Sequence, residues 1–228
     1  MAQHTSVVPS QINVSSISRR AYNALTFGIV TLAFLITWGE YLFFQNGITQ
    51  TGTIPLLGNS PIGLILTIVL TIVGLVAMSI GKGKQSVALS ATGFGIFVLT
   101  FGATLAIALT RYSLPTIYYA FAITACISSI FLILGVMFPG FFSRIGGVLM
   151  VSLIALVVAE LIATIFFHVD QTVFDYLVVI VFCFFLGYDS YRMTADSPTV
   201  PNAIFYAADI FLDIVNILIR ILSIMDRD

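Results

Sequence analysis

The chain has 228 residues, of which 59% are hydrophobic and 8% charged, with a formal net charge of −1 and a mean hydropathy of +1.10. A soluble domain carries about 25% charged residues. So apolar a chain cannot cover a water-facing surface, which leaves a polytopic membrane protein, and the absence of a basic run excludes nucleic-acid binding.

The first 18 residues are polar, rich in Ser, Gln and Val, and read as a mobile tail. The domain reading is a cytoplasmic tail over 1–21, a membrane domain over 22–225 and a short tail over 226–228. Seven segments follow that are long enough, or nearly so, to cross a bilayer as helices, for which about 20 residues are needed. The first, 22–44, is too long for a signal-peptide core, contains Glu40 and reads as a retained span. Glu40 sits beside Trp38 and Tyr41, which read as interface anchors, and it reads as interfacial itself. The next four are 61–80, 86–109, 117–138 and 145–167. The sixth, 173–188, is short, and the last is 203–225. All seven prolines fall in the tail, in connections or at a segment start, none in mid-span. The segments are continuously apolar rather than alternating, so an all-α protein is expected and a barrel is not.

The positive charges set an orientation. Arg19, Arg20, Lys82, Lys84, Arg144 and Arg192 fall on one side, against Arg111 and Arg227 on the other. This predicts a cytoplasmic N-terminus and an external C-terminus. Cys126 and Cys183 lie inside apolar stretches and read as packing residues, with no disulfide. His4 and His168 match no metal-ligand motif, so neither a metal site nor a cofactor is expected.

The most informative segment is the last. Asp209, Asp213, Asn216 and Arg220 are spaced four, three and four residues apart, on one helical face. Asp213 lies about ten residues into the span, roughly 15 Å deep. A carboxylate at such depth faces a bundle interior or a water-filled cavity. Asp209 reads as a second pathway carboxylate or an interfacial residue. Arg220 is expected to snorkel or to pair internally, with Glu160 of the fifth span as partner. Asn216 is expected to hydrogen-bond across helices. Asp189 closes the sixth span, and Asp175 opens it, where a carboxylate suits a helix N-terminus. Asp170, Asp196, Asp226 and Asp228 read as solvated charges.

The final forty residues resemble the transmembrane Bax inhibitor motif family, which includes bacterial calcium-leak members. Two motifs carry this: Tyr188-Asp189 at the end of the sixth span, and Phe211-Leu212-Asp213-Ile214-Val215-Asn216-Ile217 in the last, similar to the family's Leu-Asp-x-x-Asn signature. Thr100-Phe101-Gly102-Ala103-Thr104 adds a weaker match. The chain departs from the pattern at the second span, which lacks a glutamate. Gly81-Lys82-Gly83-Lys84 stands where a basic cluster headed by arginine is common, and Tyr191 where Asn or Gln is common. The resemblance implies a divergent, bacterial member of the plasma membrane with its last helix at the centre of the other six. It also implies an aspartate pair, Asp189 and Asp213, closing a pore near the cytoplasmic side, with Lys82 as a substitute latch on the first aspartate.

Two close carboxylates in a low-dielectric site share a proton more readily than they ionise together. Such a pair is consistent with the pH-sensitive cation leak that the resemblance implies, with calcium as the permeant ion of the family's leak members; oxygen ligands suit calcium among hard cations, but two carboxylates do not by themselves set selectivity. The alternative is a non-transporting regulator of a membrane partner, such as a membrane protease or a stress or cell-death pathway. An intramembrane aspartyl protease is disfavoured, because the last span lacks a glycine beside Asp213 and general acid–base catalysis needs more than two aspartates. A retinal-type pigment is disfavoured because no lysine lies within a span. No enzyme is expected.

Overall fold

The computed structural model describes residues 16–51, 61–167 and 171–227. The expected tail over 1–15, most of the first connection, His168, Asp170 and Asp228 lie outside them. The described residues form seven helices and no strand: α1 (Arg19–Thr51), α2 (Pro61–Gly83), α3 (Val87–Leu109), α4 (Leu114–Met137), α5 (Pro139–Ile162), α6 (Thr172–Ala195) and α7 (Val200–Met225). A π-helical turn, Ala163–Phe167, continues α5. Six of the seven are long and apolar enough to cross a membrane, and α7 is the exception. The protein is therefore a multi-pass helical membrane protein whose outer faces meet lipid. Large apolar side chains such as Ile62, Val151 and Val148 are mostly exposed, as a hydrocarbon solvent permits.

Helix ends follow local chemistry more closely than hydropathy. Ser113 and Thr199 accept hydrogen bonds from the amides of Thr116 and Asn202, capping α4 and α7, each with proline in the first turn. α2 ends in a Schellman-type turn, with Ser86 N donating to Gly81 O (2.8 Å) and Gln85 N to Lys82 O (3.2 Å). Gln85 holds the left-handed position of that turn at φ 52°. Its side chain braces the turn by donating to Lys82 O (2.7 Å) and Asn202 Oδ1 (3.1 Å). Three ends differ most from the expected ones. α1 runs on to Thr51, α5 begins at Pro139 and so takes in Arg144, a residue expected in a connection, and α6 continues past Asp189 to Ala195. Apolarity marks where a helix leaves hydrocarbon, whereas a polar helix can project beyond it.

Close packing needs small residues. A Cβ at Gly135 of α4 would fall on the carbonyl oxygen of Gly187 in α6, and a Cβ at Gly93 of α3 would lie 2.7 Å from Met78 N of α2. α7 packs against α1, α2, α3, α4 and α6, whereas α5 lies against α6 and α4 without extensive packing on α7. The rotation of α7 is set by Phe211. This ring is fully buried and makes edge contacts with Phe34 of α1 (4.8 Å between centroids) and with Phe97 and Phe101 of α3 (6.1 Å each). Residues two positions either side of it point the opposite way on a helix, and those residues are Asp209 and Asp213.

Candidate functional site

α6 and α7 carry the site. Tyr188, Asp189 and Arg192 project from the last turns of α6, and Asp209 and Asp213 from the first half of α7. Asp213 is 3% exposed and Asp189 6%, so both are sequestered from solvent and lipid. Their carboxyl groups come close together on the wall of one cavity. Two carboxyl groups can hydrogen-bond to one another only with a proton between them. The Oδ2 atom of Asp213 is buried without a partner.

Arg192 completes the cluster. Its Nη1 lies 2.8 Å from Asp189 Oδ1 and 3.4 Å from Asp209 Oδ2. Its guanidinium sits 5.4 Å from the ring centroids of both Tyr188 and Tyr206. One arginine thus bridges carboxylates of two helices, and Asp209 belongs to the same cluster as the pair. The sequence reading used Arg192 only to orient the chain. The available signal was its i,i+3 spacing from Asp189, which brings two side chains together on a helix. The cluster opens into a cavity of about 380 Å³ whose far wall is Gly146, Met150 and Leu153 of α5. The Tyr188 ring lies flush on Gly146, where a Cβ would come within 2.5 Å of it.

Four supporting residues are placed as follows. Lys82 is not a latch on Asp189. It lies 2.8 Å from Asp196 Oδ2 and donates to Tyr206 Oη at 2.7 Å, because the end of α2 meets the α6–α7 connection rather than the acid cluster. Asp196 is correspondingly not a free solvated charge. Partial burial alone would raise its carboxyl, but hydrogen bonds from Lys82, Tyr206 and the Ser197 amide, with the Lys82 charge, hold it below the usual carboxylate range. Asn216 does not bridge helices: its amide donates to Leu212 O of its own helix at 2.8 Å. Arg220 pairs with Glu160 through two contacts, at 2.7 and 3.0 Å, and also with Asp175 at 2.7 Å. Asp175 stands in the first turn of α6, as expected, is 1% exposed and is an ion-pair partner as well. Tyr41 is also buried, at 1%, so it packs in the bundle instead of anchoring at an interface. Glu40 is half-buried beside Thr37 and Gly102, with its Oε2 atom enclosed and unpartnered.

Helices of this length and apolarity, with ionisable side chains gathered inside them, define a polytopic membrane protein with an internal acidic site. The family profile described as inhibitor of apoptosis-promoting Bax1 matches residues 14–228, nearly the whole chain, and the chain belongs to that Bax inhibitor motif family. No curated protein matches it in sequence.

Proposed function

We propose that the protein is a pH-sensitive cation leak pathway of the plasma membrane, calcium being the ion its oxygen ligands suit, with α7 as the central helix. The observation that carries this is the sequestered approach of Asp189 to Asp213, on different helices and beside a third carboxylate. A shared proton ties α6 to α7. Its loss leaves like charges in contact, which repel and attract a divalent cation, so acid favours the closed form and alkali the open one. Family membership supports the reading, since calcium-leak members belong to it. The burial of α7, against five other helices, supports its central place. The distribution of positive charges supports a cytoplasmic N-terminus, with the acid cluster toward that side.

Calcium flux into vesicles holding the purified protein tests this directly. Flux should rise with pH, and Asp213→Asn should abolish the rise. A pH-independent flux, or an undiminished one in D213N, rejects the proposal. The regulator reading would gain from a stoichiometric membrane partner together with silent vesicles.

A further inference from the structure

The polar residues of α7 form two sectors. Asp209 and Asp213 make one, and Arg220 lies two helical turns further on, about 10 Å by helical rise. Around Arg220 is a fully paired network. The guanidinium grips Glu160 of α5 and Asp175 of α6. Ser223 donates to Asp175 Oδ2 at 2.9 Å, and Arg227 approaches the same oxygen at 2.9 Å while donating to Thr172 at 2.8 Å. Two acids and two arginines cancel. The network joins the end of α5, the start of α6 and the end of α7.

Those are the three helices that bound the cavity at the acid cluster. Leu153 is the last α5 residue on that cavity wall, and Glu160 stands two turns beyond it on the same helix. α5 has little other packing on α7, so the two-contact Glu160–Arg220 pair is its main tie to α7 at that end. Three residues after Glu160 the helix loosens into the π-helical turn, a geometry common at functional positions. Buried ion pairs are often no more stable than apolar residues of the same volume. A neutral charged network across a crevice that Leu or Met would fill therefore points to a contact meant to open.

We propose that the crevice between α5, α6 and α7 is the passage to and from the acid cluster, and that the Arg220–Glu160–Asp175 network is the clasp closing it at the end opposite that cluster. Closed, the clasp sets a cationic side chain across the passage and holds α5 against α7. Released, α5 is free to part from α7 and the crevice becomes continuous. This rests on the cation-leak reading, but one arm of its test does not.

The experiment uses the full chain with Cys126→Ser and Cys183→Ser, reconstituted in vesicles. Leu153→Cys supplies a thiol on the cavity wall, and a membrane-impermeant maleimide is added from the side that carries Arg220. Glu160→Gln should raise the labelling rate at least several-fold, and Glu160→Asp, with a shorter reach, should act in the same direction if E160Q is not recovered. Equal labelling with and without the substitution overturns the clasp. In the parallel flux assay without L153C, E160Q should raise calcium flux several-fold, and E160Q with D213N should be silent. An unchanged flux in E160Q beside a lost flux in D213N also overturns the clasp. An intact flux in D213N removes the leak reading instead, while the labelling rate still decides whether the clasp closes the crevice.

Discussion

Replacing Arg192 by Gln should move the pH of half-maximal flux upward by about one to two units. In the structure the guanidinium is 2.8 Å from one carboxylate oxygen of Asp189 and 3.4 Å from one of Asp209. Unit charges about 4 Å apart attract by about 4 kcal/mol at an effective dielectric of about 20. Arg192 keeps 33% of its side chain exposed and Asp209 22%, so solvent screening trims the effect to roughly 2 kcal/mol. At about 1.4 kcal/mol per pH unit, that gives the stated shift. The sign follows from charge. Arg192 favours the ionised, open cluster, and without it the proton-bridged arrangement persists to higher pH. Calcium flux in vesicles titrated across the neutral range measures the midpoint. Arg192→Lys, which keeps the charge but loses the planar fork, should shift it less than Gln does. A midpoint that stays put, or moves toward acid, would refute the assignment of Arg192 as counter-ion to the sensing carboxylates.

Two further outcomes test the packing around the site. Gly135→Ala places a methyl on the Gly187 carbonyl, so α4 and α6 must part; overpacking of this kind costs about 1–3 kcal/mol. Thermal unfolding in detergent should show a clear loss, and an unchanged midpoint would mean the helices are not in backbone contact there. The Lys82–Asp196 pair should show its own pH dependence. The Asp196 carboxyl is held below its usual range, so its stabilisation is complete above that range and disappears as pH falls through the lowered value. Asp196→Asn should cost up to about 1 kcal/mol at neutral pH, as for a partly exposed pair, and nothing in strong acid. A deficit that persists in acid would show the loss to be steric.

The apolar runs announced the helices because hydrocarbon leaves the backbone no other way to satisfy its hydrogen bonds. Asp213 was legible from depth alone, and Asp189 from its motif. Arg220 and Glu160 were paired correctly because the connectivity of the last three helices puts both at one end of the bundle. The failures share one cause: helix rotation is a tertiary property. Lys82 lies at the right depth for the acid cluster but faces Tyr206 and Asp196. Asn216 sits on the polar stripe, yet its amide turns back on Leu212. Tyr41 looked like an interface anchor because its neighbours are aromatic, and it is buried because its face of α1 meets the bundle. Asp209 could not be assigned from sequence, because its partner Arg192 comes from another helix.

α7 carries a stripe of ionisable side chains and is also the most enclosed of the helices, and these two facts have one physical origin. A helix bearing Asp209, Asp213 and Arg220 cannot face lipid without leaving charges in hydrocarbon. It must therefore be seated by other helices that supply a proton, an arginine or an acid to each of them. The supply is uneven along its length. At one end Arg220 is met by two full carboxylates at 2.7 Å. At the other, three carboxylates share a single arginine and depend on bound protons for the rest of their neutralisation. The charges that seat α7 are consequently balanced by side chains at the Arg220 end and left in acidic excess at the Asp213 end. Motion driven by proton loss should begin beside Asp213 and pivot about the clasp, which is why holding or releasing Glu160 should change how far the crevice opens without changing the pH at which opening starts.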